Sequence, residues 1–189
     1  LTEGAHYALV DIRASKIEKG QNALVYGATG AIGSAAVQLL KHFGVQVTAI
    51  CNTRNVALVK SLGADTVIDY QTEDFTRTAI KFHFIFDAVG KSSFGQCKPL
   101  LTEKGIYIST ELGKNAENVF LSLTTKLRDG KKVLFPIPTI SKEDILFLKE
   151  LVDQANDELQ RAESLANEYE LHTAQTEVSR WKRKLEQTQ

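Results

Sequence analysis

A glycine-rich turn between a buried strand and a helix is the feature that most constrains the fold of this chain. The turn, Gly27-Ala28-Thr29-Gly30-Ala31-Ile32-Gly33, follows the apolar run 23–26 and precedes apolar residues at helical spacing over 31–40. Gly27 permits a tight turn, Gly30 lets the backbone approach a ligand closely, and Gly33 lets the helix pack against the strand. The G-x-x-G-x-x-G spacing is a variant of the dinucleotide-binding fingerprint and predicts a diphosphate site at the N terminus of this helix.

Strands and helices alternate through the first 152 residues. Further apolar or β-branched runs predict strands at 45–50, 66–68, 82–86, 106–109 and 133–135, and helical spacing predicts helices at 2–14, 56–62 and 94–101. Such alternation in short units implies a parallel sheet with right-handed crossovers and with helices on both faces. The predicted fold class is therefore α/β, a doubly wound parallel sheet (Rossmann) in the strand order 3-2-1-4-5-6.

The last part of the chain has a different composition. Residues 153–189 contain no glycine or proline and are rich in Glu, Gln, Ala, Arg, Lys and Leu, which predicts a long C-terminal helical tail. Ser141 with Asp144 three residues later indicates a helix start just upstream. The apolar spacing changes phase between Tyr169 and Leu171, and each half has only about two to three heptads, fewer than a coiled coil usually needs. We expect a nucleotide-binding domain at 1–152 and, at 153–189, a polar helix that is either a coiled coil or an appendage.

Composition and charge exclude several classes of protein. The chain is 43% hydrophobic and 24% charged, as in a globular protein, and its net charge of zero argues against a nucleic-acid partner. The mild stretch 23–40 contains polar residues and glycines, so it predicts no membrane span, and no segment resembles a signal peptide. Cys51 and Cys97 are far apart and the four histidines are scattered, which predicts no metal site and favours a reducing, cytoplasmic compartment.

The end of the second strand bears on cofactor choice. In this fold, an acidic residue there would bind the adenosine ribose of NAD. The segment Ile50-Cys51-Asn52-Thr53-Arg54 has no carboxylate, whereas Asn52 and Thr53 can donate hydrogen bonds and Arg54 offers a planar fork that suits a 2′-phosphate. The sequence therefore favours NADP over NAD. The alternative is that Arg54 is an ordinary solvated residue in the first turn of a helix.

Three motifs in order extend this interpretation. They are VYGATGAIGSAAVQ at 25–38, LGADTVIDY at 62–70 and FDAVG at 86–90. Together they resemble the coenzyme-binding domain of the medium-chain dehydrogenase/reductase family, the alcohol dehydrogenase superfamily, and in particular its quinone oxidoreductase-like members. The resemblance covers roughly residues 1–152 and departs from the family at His83, where members often carry an acidic residue, and beyond Val152.

The resemblance implies a cofactor, a reaction and a set of contacts. Family members bind NADPH or NADH in a cleft between this domain and an N-terminal GroES-like domain, and they transfer hydride to quinones, enones or related carbonyl compounds. The implied contacts are Gly27, Thr29, Gly30, Ala31, Ile32 and Gly33 at the pyrophosphate, Asn52, Thr53 and Arg54 at the adenosine ribose, Tyr70 beside the adenine or its phosphate, Ala88, Val89 and Gly90 at the ribose and nicotinamide, and Ser109 and Thr110 near the carboxamide. A tyrosine that covers the sheet edge is an equal alternative for Tyr70.

No catalytic residue is predicted in this chain. It has no methionine and begins in mid-pattern, so we expect a segment of a longer oxidoreductase that is active only in the full-length parent. A second hypothesis is a non-catalytic scaffold or interaction protein that forms a homo-oligomer through the tail. A short-chain dehydrogenase is excluded, because that class needs a lysine four residues after a tyrosine to lower the pKa of its hydroxyl, and no tyrosine here has one.

Overall fold

The structure is a computed structural model that describes residues 3–126, 130–139 and 141–186. The first residue of the helix predicted at 2–14 and the last three of the predicted tail lie outside the described residues. The strands are β1 (Asn22–Tyr26), β2 (Gln46–Cys51), β3 (Thr66–Asp69), β4 (Phe82–Asp87), β5 (Leu101–Ser109) and β6 (Lys132–Leu134). The helices are α1 (Glu3–Ser15), α2 (Ala31–His42), α3 (Val56–Ser61), α4 (Phe94–Cys97), α5 (Glu117–Lys126) and α6 (Lys142–Glu186).

The described strands form one parallel sheet of six strands in the order β3-β2-β1-β4-β5-β6. This order confirms the predicted doubly wound fold. Tyr26, the last residue of β1, pairs with Ile50 on one side and with Asp87 on the other, and Asp87 pairs with Ser109. Because these strands run in parallel, the segments that follow them meet at one edge of the sheet, where ligands of such folds bind.

The core lies in the central strands, which are covered on both faces. Ala23, Leu24 and Val25 of β1 are fully buried, as are Phe84, Ile85 and Phe86 of β4. Continuous apolar runs of this kind are typical of parallel strands with both faces covered, because neither set of alternate side chains reaches water.

Two elements differ from the sequence prediction. The helix predicted at 94–101 is only α4 followed by a 3₁₀ turn at Lys98–Leu100, and β5 begins already at Leu101. The register of β4 with β5 shifts between Phe82 and Phe84, which accommodates the extra length of β5. The sequence analysis also assigned no element to α5.

The chain divides into two compact units, 1–144 and 145–189. The predicted helix start at Ser141 is confirmed, since its hydroxyl accepts a 3.0 Å hydrogen bond from the Asp144 amide. The helix that starts there and the predicted tail are one continuous helix, α6. The domain boundary at residue 152 stays a prediction. None of the helices in the described ranges is long and apolar enough to cross a bilayer.

Candidate functional site

The turn 27–33, here named the phosphate loop, presents free backbone donors. The amides of Gly27 and Ala28 both donate to the Ile50 carbonyl at 3.2 Å, and Gly30 donates to the Gly27 carbonyl at 3.1 Å. By contrast, four amides have no acceptor among the residues that the structure describes, namely those of Thr29, Ala31, Ile32 and Gly33. They surround the N terminus of α2, where the helix dipole is positive, so the loop can bind an anion through backbone groups alone.

The three glycines of the phosphate loop differ in the space around them. A Cβ on Gly33 would lie 2.1 Å from the Gly27 carbonyl oxygen, and one on Gly27, whose φ is +81°, would lie 2.5 Å from Cγ1 of Val89. A Cβ on Gly30 would approach nothing closer than 3.6 Å. Gly27 and Gly33 are therefore required by the fold of the loop, whereas the absence of a side chain at Gly30 leaves the amides uncovered.

A second loop, 88–92, borders the phosphate loop and is held by a buried carboxylate. Asp87 accepts hydrogen bonds from the amides of Val89 at 3.1 Å, Lys91 at 3.3 Å and Ser92 at 2.7 Å, and from the Ser92 hydroxyl at 2.8 Å. The Tyr107 hydroxyl donates to the Ser92 carbonyl at 3.2 Å. These bonds position Ala88, Val89 and Gly90, three of the residues that the resemblance implies as cofactor contacts.

The residues predicted for the adenosine ribose follow β2, and they differ in how they are engaged. The Thr53 hydroxyl donates to Asp69 at 2.5 Å, and Asp69 also accepts from the Gln71 amide at 3.0 Å. These hydrogen bonds lower the pKa of Asp69. Arg54 is exposed and makes no ion pair with the described residues, and Oδ1 of Asn52 is buried without a hydrogen-bond partner among them. The side chains of Asn52 and Arg54 are thus available to a ligand.

Asp69 was missed by the sequence analysis. It ends β3, and its pairing with Cys51 brings a carboxylate beside the end of β2 although β2 itself supplies none. Asp69 cannot be recognised from the sequence at the end of the second strand, because it lies at the end of the third. The next residue, Tyr70, is 49% exposed and stacks on Tyr26 with 6.5 Å between ring centroids and 9° between planes. The two rings form an aromatic surface at the ends of β1 and β3.

At the opposite end of the site, a pocket of about 350 Å³ lies beside the end of β5. We name it the β5 pocket. Four of its lining residues were predicted cofactor contacts, Ile32, Ala88, Ser109 and Thr110. Seven were not, and these are Tyr7, Asp11, Glu111, Phe135, Pro136, Ile137 and Pro138.

Asp11 is the lining residue with the most perturbed chemistry. It is 4% exposed, and burial raises its pKa to about 7. A sequence signal existed, because Asp11 shares helical spacing with Gly4, Ala8 and Ser15, which all lie on the buried face of α1. A charged residue in such a row marks a buried ionisable group.

The sequence of this chain is similar to a known family of proteins. A family model described as zinc-binding dehydrogenase matches residues 31–136. The chain belongs to this family. The resemblance to quinone oxidoreductase-like members of the medium-chain dehydrogenases/reductases is thereby confirmed.

One curated relative and two solved structures match most of this chain. It is 36% identical over 141 residues to the chloroplast envelope quinone oxidoreductase homolog of Arabidopsis thaliana, with 72% of this chain and 42% of that protein covered. Its fold resembles the quinone oxidoreductase from Coxiella burnetii, at a TM-score of 0.71 and 24% identity over 82% of this chain and 48% of the other. It also resembles the quinone oxidoreductase from Thermus thermophilus, studied with NADPH, at a TM-score of 0.57 and 21% identity over 82% and 49% of the two chains. The chain spans less than half the length of these three proteins.

The family description names zinc, but the described residues of this zinc-binding dehydrogenase domain do not fit a zinc site. Within 3–126, 130–139 and 141–186, no three His, Cys, Asp or Glu side chains gather closely enough to hold a metal ion. Cys51 and Cys97 are both buried, and burial raises the pKa of each thiol, which disfavours the thiolate that binds zinc.

Proposed function

We propose that this chain is the NADP(H)-binding domain of a quinone oxidoreductase-like reductase, which transfers hydride to a quinone, an enone or a related carbonyl compound. The phosphate loop carries this proposal. Four amides without an acceptor among the described residues surround Gly30, where a Cβ would approach nothing closer than 3.6 Å, at the positive end of α2. A pyrophosphate accepts hydrogen bonds from such amides and is stabilised by the helix dipole.

The names of the relatives support the reaction. Two of the three proteins described above are quinone oxidoreductases and the third is a homolog of one, and one of them was studied in complex with NADPH. Because this chain spans less than half of each, we attribute the hydride transfer to a longer protein and the binding and orientation of the cofactor to this domain. The cofactor supplies the hydride, and the protein accelerates the transfer by holding cofactor and substrate close together in the reactive orientation. We expect the domain by itself to be inactive. A cytoplasmic location stays a prediction.

The decisive experiment is calorimetric titration of the chain with NADPH, in parallel with a Gly30→Val variant. We expect the variant to fold, because a Cβ at Gly30 would approach nothing closer than 3.6 Å, and its side chain would occupy the proposed position of the diphosphate. We expect saturable binding by the wild type and an affinity at least about tenfold lower for the variant. Gly95→Ala is the control, since a Cβ there approaches only the Ser93 hydroxyl oxygen, at 3.8 Å. Undiminished affinity in a folded Gly30→Val protein would refute the proposal, as would no binding by the wild type at millimolar cofactor.

The preference for NADP over NAD is part of the same proposal and rests on Arg54. Its guanidinium is exposed and unpaired among the described residues, and it can bind a 2′-phosphate in a bidentate manner. Arg54→Gln should weaken NADPH binding by about tenfold and leave NADH binding unchanged. Lys104→Gln, which removes a positive charge from β5, is the control for net charge. Equal losses for NADPH and NADH would indicate that Arg54 does not recognise the phosphate.

The second candidate function is a scaffold that self-associates through α6. In its support, α6 exposes Leu159, Leu165, Tyr169, Leu171 and Val178 along its length. Sedimentation of the whole chain would distinguish the two functions. If the chain self-associates through α6, a Leu159→Lys, Tyr169→Lys double variant should sediment with a lower molecular mass than the wild type. Equal molecular masses for the wild type and the variant would show that α6 does not mediate self-association.

A further inference from the structure

Asp11 is a buried acid whose side chain has no partner in the described part of the chain. Its side chain lines the β5 pocket, and it makes no hydrogen bond or ion pair with any residue that the structure describes. Taking a carboxylate out of water without a compensating donor is unfavourable, and the pKa of about 7 reflects this. A perturbed acid that faces a cleft is a candidate for contact with a ligand.

Every charged side chain among the described residues of the pocket lining is acidic. Glu111 supplies a second carboxyl group, and its side chain lies over Gly90, where a Cβ would come within 2.4 Å of Glu111 Cγ. The remaining polar groups of the lining are the hydroxyls of Tyr7, Ser109 and Thr110. Among the residues that the structure describes, no lysine, arginine or histidine contributes to the lining. A cationic group in this pocket would therefore meet two carboxylates and no competing positive charge.

The position of the pocket indicates which part of a dinucleotide it would hold. Ile32 in the first turn of α2 places the pocket next to the phosphate loop, and Ala88 and Ser109 place it at the ends of β4 and β5. In doubly wound domains a dinucleotide crosses the strand ends at this switch point, with its adenosine on the β2 side. Its nicotinamide half would then lie in or beside the β5 pocket.

We infer that Asp11 and Glu111 make the β5 pocket selective for the oxidised form of the nicotinamide ring. This inference rests on the proposed function. The oxidised ring carries one positive charge and the reduced ring is neutral, so only the oxidised form is attracted by the two carboxylates. The two side chains would therefore stabilise the positive charge that a nicotinamide ring carries after it has given its hydride to the acceptor.

The test compares the binding of three ligands to the whole chain at about pH 8, where Asp11 is ionised. The ligands are NADP+, NADPH and 2′-phospho-ADP-ribose, which lacks the nicotinamide ring. Asp11→Asn and Glu111→Gln should each weaken NADP+ binding by about fivefold and leave the other two affinities within about twofold. Glu18→Gln, which removes a negative charge outside the pocket, should change none of them.

Each alternative outcome has a distinct meaning. Equal losses for NADP+ and NADPH, or no loss for NADP+ in either variant, overturn this inference while leaving the proposed function intact. If neither the dinucleotides nor 2′-phospho-ADP-ribose bind the wild type, the proposed function fails as well. Glu111 is exposed, so Glu111→Gln keeps the test valid if Asp11→Asn does not fold.

Discussion

The phosphate loop and the β5 pocket adjoin each other but are built in opposite ways. The loop is seven consecutive residues whose geometry comes from backbone hydrogen bonds and from space that only glycine leaves free. The pocket is assembled from α1, the start of α2, the ends of β4 and β5, and residues 135–138. The loop presents unengaged donors, whereas the pocket presents acidic groups, one of them buried. One end of the site can therefore be recognised from local sequence, and the other exists only after the chain has folded.

This contrast predicts a large effect of pH on stability that originates in the pocket. The folded state holds a proton on Asp11 up to a pKa of about 7, against an ordinary value of 3.8. Between these values the unfolded state releases the proton first, so wild-type stability falls as pH rises from about 4 to about 7 and then levels off. The loss is about 4 kcal/mol, because each pKa unit corresponds to about 1.4 kcal/mol.

Asp11→Asn removes this ionisation and should be more stable than the wild type at about pH 8 by up to about 4 kcal/mol. The two proteins should have similar stability near about pH 4, where both side chains are neutral. Urea unfolding at several pH values measures the difference, and Glu18→Gln serves as the exposed control. A constant difference across the pH range would show that Asp11 does not titrate with a raised pKa.

Substitution of Asp87 tests whether this one residue positions both the phosphate loop and the β5 pocket. Val89 packs against Gly27 of the phosphate loop and Ala88 lines the pocket, so Asp87 fixes both through loop 88–92. Asp87→Asn should cost about 3 kcal/mol of unfolding free energy, because an amide nitrogen would face backbone donors, and it should weaken binding at both ends. Ser92→Ala, which removes only the hydroxyl bond, should cost about 1 kcal/mol. If Asp87→Asn lowers the affinity for 2′-phospho-ADP-ribose but leaves the ratio of NADP+ to NADPH affinity unchanged, Asp87 positions only the phosphate loop.

Gly33→Ala distinguishes the two regions, with a smaller effect on stability than Asp11→Asn or Asp87→Asn. Its missing Cβ would lie 2.1 Å from the Gly27 carbonyl oxygen, so Gly33→Ala must displace the backbone of the loop, at about 2 kcal/mol. The NADPH affinity should fall, while the pH dependence that originates at Asp11 should persist. Thermal unfolding and calorimetry would measure both, with Gly95→Ala as control. An unchanged affinity would show that the loop tolerates displacement.

Much of the fold could be predicted from the sequence, and the exceptions have physical causes. The strand order, the glycine turn between β1 and α2 and the helical tail were predicted correctly, because they depend on periodicity, on composition and on where glycine is needed. The helix α5 was missed since its apolar residues do not mark one buried face: Phe120 is 67% exposed and Leu123 is 65% exposed. The length of β5 was missed because the register shift beside Phe82 depends on the neighbouring strand.

In the site, features with a local cause could be predicted from the sequence, and features that depend on distant residues could not. A positive φ or a close backbone approach is a local requirement, so the spacing of Gly27, Gly30 and Gly33 alone was enough to predict the turn between β1 and α2. The chemistry of Asp11, Asp69 and Glu111 depends on which distant residues surround each carboxylate. Only tertiary structure brings Asp69 beside the end of β2 and puts Asp11 and Glu111 into one pocket, because burial and neighbouring charge are properties of the packed chain.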